Sequence, residues 1–236
     1  MSPRRASPVQ QLRCVLRSFL LTAFVVSSVG ESTGVELPPP MASPPCVSCR
    51  ENVGEIRSRY SLTDWRAIQD HEVLVAEIET EGTTSLRRTI EVAALISHPP
   101  ADVWRVLVDF GARTAWQPGA KEVALVRVDG NRAWVDEYMR FFWIGVRYRI
   151  INTLEPELGL VRFTMDESVD HDIGGTTGVW RLTPMTDNRG TLVTYRAWID
   201  IGHPLPGSIQ SMLLKRSLPS MISGLRAEVD RRSASK

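Results

Sequence analysis

Hydrophobic and polar positions along this chain fall into three spacings. Between Ile90 and Pro118 all the changes of spacing come close together. Val92 to Ile96 is a continuous apolar run and reads as a buried strand. It turns at His98-Pro99-Pro100, where proline suits the first turn of a helix. Ser97 is placed to cap that helix and Asp102 to meet its dipole. Val103, Trp104, Leu107 and Val108 then give one apolar helical face over Ala101 to Val108. Asp109-Phe110-Gly111 breaks the helix, and a second short one ends at Trp116-Gln117-Pro118.

Upstream, His71 to Glu79 and Ser85 to Ile96 predict two strands joined at Gly82. Downstream, strands follow in quick succession: Val123 to Val128, Ala133 to Phe142, Val146 to Leu154, Leu160 to Val169, Gly178 to Met185 and Thr191 to Ile201. Asp129-Gly130-Asn131 is a strong hairpin turn between the first two. Strands this close, without helices between them, predict an antiparallel sheet.

Period-two alternation assigns the faces. Val161, Phe163 and Met165 oppose Arg162 and Thr164. Val146, Tyr148 and Ile150 oppose Arg147 and Arg149. Val193, Tyr195, Ala197 and Ile199 oppose Arg196 and Asp200, and Trp180 and Leu182 oppose Arg181. One face is therefore apolar and aromatic, the other charged. The cover for the apolar face is the stripe Ile209, Met212, Leu213, Leu218, Met221, Ile222, Leu225 and Val229, which predicts a long closing helix kinked at Pro219. Near the other end, Ile56, Tyr60, Leu62, Trp65 and Ile68 share one helical face within Arg50 to Asp70, expected to pack on the outside.

The N-terminal stretch breaks these patterns. Residues 1–30 hold Arg4, Arg5, Arg13 and Arg17 and no acidic residue, followed by the apolar run SFLLTAFVVSSVG. That describes a secretory signal peptide, so the protein is expected to be exported, periplasmic or secreted. The alternative is an uncleaved membrane anchor, though the run is short of the ~20 residues a spanning helix needs. Residues 31–60 read as a Pro-rich linker carrying Cys46-Val47-Ser48-Cys49, and 61–236 as the domain. In an exported protein that cysteine pair is expected to be oxidised. A zinc site would need a second pair, which is missing.

The whole chain has 28 basic and 27 acidic residues; without the four arginines of residues 1–30 the balance is 24 to 27. No basic excess is present to suggest nucleic acid as a partner.

Candidate chemistry is sparse. The densest ionisable cluster is Asp166, Glu167, Asp170, His171 and Asp172. It reads as a solvated acidic loop, with an acid–base or metal site as the alternative. No catalytic triad, phosphate loop or zinc spacing is present, and neither cofactor nor metal is expected. On the strand Ala133 to Phe142, either Glu137 or Arg140 is placed to point inward and orient a ligand's polar group.

The order of motifs resembles a known family. Pro100, Val103, Trp104, Leu107, Asp109, Phe110, Trp116 and Pro118 match P-x-x-V-W-x-x-L-x-D-F followed by W-x-P. This is similar to the START-like superfamily of polyketide cyclases, coenzyme-Q-binding proteins and Bet v 1-like carriers. Gly178 to Pro184 (GVWRLTP) and Ile201 to Pro206 before the last helix also fit. The likeness spans roughly Leu74 to Arg232.

It implies an α+β helix-grip fold: a curved antiparallel sheet, two short helices after the first family strand, and a long C-terminal helix over an apolar cavity. A lining follows from the alternation. Trp104 comes from the first short helix; Tyr148, Phe163, Met165, Trp180 and Tyr195 from the strands; Leu218 and Ile222 from the closing helix. The expected function is carriage of a lipid, isoprenoid quinone or polyketide-like aromatic, with transient membrane contact as a further expectation. The alternatives are a cyclase or aromatase of the same fold, and a solid-cored interaction module without ligand.

Overall fold

The computed structural model describes residues 52–79, 88–141, 143–186, 189–200 and 213–235. The N-terminal basic and apolar run, the Cys46 and Cys49 pair, the Gly82 connection, Ile201 to Pro206, and Ile209 and Met212 of the apolar stripe lie outside the described residues.

Two short helices come first, α1 (Val53–Arg57) and α2 (Leu62–Gln69). Then follow β1 (Leu74–Glu79), β2 (Arg88–Ile96), α3 (Pro100–Leu107) and α4 (Arg113–Trp116). Six strands come next: β3 (Ala120–Asp129), β4 (Arg132–Phe141), β5 (Ile144–Glu155), β6 (Leu160–Met165), β7 (Gly175–Pro184) and β8 (Thr191–Asp200). Last is α5 (Leu218–Ser233). Among the described residues the strands form one antiparallel sheet in the order β1-β2-β8-β7-β6-β5-β4-β3. Successive strands from β3 to β8 are neighbours, as closely spaced strands without intervening helices require. The one long-range pairing, β2 with β8, places Val92 opposite Tyr195 and seats β2 between β1 and β8.

Alternation along the strands is as expected. In β6, Val161, Phe163 and Met165 are buried while Arg162 and Thr164 are exposed. In β5, Val146 and Ile150 are buried and Arg147 is exposed. Ile199 departs from this. It has the parity of the dry face but is exposed.

Trp104 is buried where α3 meets the sheet. The helix begins without help from Ser97: Pro99 is its N-cap and no side chain closes it, so the two prolines set the start by backbone shape alone. Pro219 does not kink a continuous α-helix. The turn Leu213–Ser217 is π-helical, and Pro219 falls in the first turn of α5, where a missing N–H interrupts little. Met221, Ile222, Leu225 and Val229 of α5 are buried.

α5 packs on α3, α4, β2 and β1, while α4 also packs on β3. The helices thereby bridge the sheet from one edge to the other. Gly224 makes this possible: a Cβ there would overlap the Trp116 carbonyl oxygen, so only glycine lets α5 approach α4 this closely. Two polar contacts fasten the far end of α5, an ion pair of Arg232 with Asp109 at 2.9 Å and His98 Nε2 against Asp230 Oδ1 at 2.6 Å. On the opposite face of the sheet, Ile56, Trp65 and Ile68 of α1 and α2 bury against Ala93, Leu95, Met185 and Leu192, while Leu62 is exposed.

Candidate functional site: a buried charge cluster inside the grip

Alternation along β4 places Ala133, Val135, Glu137 and Met139 on the inner face. This decides between the two inward candidates: Glu137 points in, and Arg140 is exposed. A carboxylate among apolar side chains needs partners. It has two. Arg113 Nη1 donates to Glu137 Oε1 at 2.6 Å, and Tyr148 Oη donates to Oε2 at 3.0 Å. Arg113 comes from the first residue of α4, and its guanidinium also lies 4.7 Å from the centroid of the Phe110 ring. Arg113 and Glu137 are both buried.

The aromatic candidates surround this cluster. Tyr195 stacks on Phe163 at 5.9 Å between centroids and tilts against Trp180 at 4.5 Å; Trp180 meets Trp116 edge-on at 6.5 Å. Burial pushes the Tyr148 phenol well above its ordinary value, and the Glu137 charge adds to the shift. Tyr195 is raised for the same two reasons.

Trp104, Phe163, Trp180 and Ile222 share one buried cluster, with Tyr148, Tyr195 and Leu218 packed against it. Met165 falls in a neighbouring group with Ala120, Met139, Val146 and Ile173. Arg113 was not among the sequence candidates. A signal for it exists: Arg113 and Trp116 are three residues apart on one helix, so burying Trp116 turns Arg113 inward too. Polar atoms remain unmatched here. Arg113 Nε, Trp116 Nε1 and both amide atoms of Asn152 are buried and have no hydrogen-bond partner among the described residues.

In the acidic loop, three of the five candidates are held by local bonds. Asp166 accepts from Ser168 N and Oγ, Asp172 from the Arg147 N–H, and His171 Nδ1 lies 2.7 Å from the Ile173 carbonyl oxygen. Among the described residues no three His, Cys, Asp or Glu side chains converge as metal ligands would. A groove of about 330 Å³ runs along β3, β4 and β5, with Glu122, Asp136, Arg147, Arg149 and Asp170 on its walls and Glu137 and Tyr148 also bordering it. Ion pairs cross it, Arg147 to Glu122 at 3.1 Å and Arg149 to Asp136 at 2.5 Å.

A curved antiparallel sheet gripped by a C-terminal helix is the helix-grip architecture of START and Bet v 1-like proteins. Residues 83–231 match the model of the family described as polyketide cyclase / dehydrase and lipid transport, and the chain belongs to that family. No curated protein matches the sequence.

Solved structures of the same fold include the STAR-related lipid transfer protein of Xanthomonas axonopodis (fragment 25–204). It is 19% identical with a TM-score of 0.57, covering 67% of this chain and 93% of that one. The Zhui aromatase/cyclase of Streptomyces sp. R1128 is 18% identical with a TM-score of 0.53, covering 62% and 95%. Human StAR-related lipid transfer protein 5 is 11% identical with a TM-score of 0.53, covering 68% and 83%.

Proposed function

We propose that the chain carries a hydrophobic small molecule or lipid between its sheet and closing helix, and that Arg113, Glu137 and Tyr148 orient one polar group of it. The observation that supports this is the pair of unmatched donors on α4, Arg113 Nε and Trp116 Nε1, buried beside an otherwise aromatic interior. A buried donor left unpaired costs about 1–3 kcal/mol, and such groups are rare enough to need a reason. A ligand oxygen accepting from them supplies one. The apolar body of the ligand contributes about 25 cal/mol for each Å² removed from water.

The rival reading, a cyclase or aromatase, has one observation in its favour: a carboxylate, a phenol and a guanidinium in one buried cluster. Both Glu137 oxygens are already engaged, however, and Tyr148 keeps its proton. The cluster therefore offers hydrogen bonds but no free base, and binding is the better account. The basic and apolar N-terminal run supports export with loss of about thirty residues, a reading that intact mass of the exported fraction tests.

Binding is tested with Ile222→Trp, which fills space under α5 where Ile222 is fully buried. The parent chain should bind a fluorescent fatty-acid analogue, and the variant should lose it at nearly unchanged denaturation midpoint. No binding by the parent, with a variant destabilised by about 1–3 kcal/mol, would mean a filled core.

A further inference from the structure

A second unmatched polar group lies deeper in the grip. Asn152 sits on β5 between Ile150 and Leu154, fully buried on the inner face. Neither its amide oxygen nor its nitrogen has a partner among the described residues. Its row across the sheet runs from Ala133 through Asn152 and Phe163 to Gly178 and Ala197. Three of these five residues carry one side-chain carbon or none. Phe163 leans over Gly178, where a Cβ would overlap its ring, and stacks on Tyr195. The ring is thus drawn toward β8, and Asn152 is left beside the methyl group of Ala133.

Asn152 is four residues from Tyr148 on the same strand. At about 3.3 Å per residue the backbones of the two stations, Asn152 and the Tyr148 end of the inner cluster, stand about 13 Å apart along β5. Val135 and Ile150, paired across β4 and β5, separate them with apolar surface. The stations differ in chemistry. α4 offers unmatched donors only, whereas the Asn152 amide offers both a donor and an acceptor. A hydroxyl group, which also donates and accepts, matches the amide.

We infer that Asn152 holds a hydroxyl group of the ligand. The ligand is then an elongated apolar molecule with that hydroxyl at one end and an oxygen acceptor toward α4, facing Arg113 and Trp116. The inference rests on the carrier reading above and narrows its ligand class. A hydroxylated polycyclic ketone and an ω-hydroxy fatty acid share this chemistry.

The test uses the full chain and two matched pairs of probes, each displacing the fluorescent fatty-acid analogue. Testosterone is compared with its analogue lacking the hydroxyl, and ω-hydroxydodecanoate with dodecanoate. In at least one pair the hydroxylated member should bind at least about tenfold tighter, because a site built for a hydroxyl rejects the analogue lacking it. The pair that discriminates tells a polycyclic ligand from a chain. Asn152→Leu should erase the preference while still binding the member without the hydroxyl. Should that variant fail to fold, Ala133→Leu, which fills the space beside the amide, makes the same comparison.

Equal binding within both pairs, or a preference that survives Asn152→Leu, overturns the inference and leaves the carrier reading standing. Binding of the fluorescent analogue with none of the four probes displacing it also overturns the inference alone. Failure of the fluorescent analogue itself overturns the carrier reading and this inference with it.

Discussion

The sheet carries the same three residue types on each of its faces. Inside the grip, Glu137 is held by Arg113 and Tyr148. Outside it, Glu91 on β2 accepts from Tyr60 at 2.6 Å and from Arg196. The difference lies in solvation. The Arg113 and Glu137 side chains are 5% and 3% exposed, while Arg196 is 45% exposed against 8% for Glu91. The outer trio staples α1 and α2 to the sheet, and water still reaches its arginine. The inner trio has no such recourse and leaves donors unmatched on α4. Identical chemistry is thus a fastening on one face and a candidate site on the other.

Removing each carboxylate separates the two faces by the largest margin. Glu137→Leu strands a buried guanidinium and should cost about 3–5 kcal/mol by denaturant midpoint. Adding Arg113→Met should restore most of that loss, since an apolar pair replaces a buried ion pair at little net cost. The restored double variant should nevertheless fail to bind the fluorescent fatty-acid analogue. Trp104→Ala, a truncation without charge, sets the scale at about 3–5 kcal/mol. Glu91→Gln should cost only about 1 kcal/mol, because Arg196 rehydrates where it stands. Equal losses for Glu137→Leu and Glu91→Gln would erase the distinction between the faces.

Alkaline pH sharpens it next. Tyr148, Tyr195 and Tyr60 are all held above the ordinary phenol value, first by burial and then by a neighbouring carboxylate. The folded protein keeps these protons longer than the unfolded chain does. Stability from them is complete below about pH 10 and falls as pH rises beyond it. Tyrosinate absorbance should therefore lag for these groups until unfolding, and Tyr148→Phe should flatten the alkaline fall.

The smallest effect is at acid pH. Glu228 is lowered to about 2, first by its hydrogen bond from Arg231. Its contribution is present above the ordinary value near 4.5 and is lost as pH falls toward 2. The loss should not exceed about 1 kcal/mol, because Arg231 is 66% exposed and solvent screens the pair. Glu228→Gln should remove that acid limb.

Much of this was legible in the residues. Strand alternation predicts which side of each strand is dry, and the motif from Pro100 to Pro118 predicts the two helices that join sheet to lid. The inner site was only half legible. Glu137 has the parity of Val135 and Met139, but pattern alone does not say whether a charge at such a position finds a partner. That partner, Arg113, lies on a four-residue helix, where its spacing of three from Trp116 is the one hint that it turns inward. Gly224 reads as a weak point in a helix, and only the packing shows that it admits the Trp116 carbonyl oxygen. Pro219 reads as a kink because a sequence carries no sign that the preceding turn is π-helical.

If the inner face holds a hydrophobic ligand by its buried charge cluster, that ligand should travel with the folded protein. Native mass spectrometry of the protein purified from its own host, beside the Arg113→Met/Glu137→Leu double variant, tests it most directly. The parent should carry a co-purifying hydrophobic mass that extraction into organic solvent releases, and the folded double variant should carry none. A parent that flies only at its polypeptide mass, or a double variant that keeps the same adduct, would contradict the account.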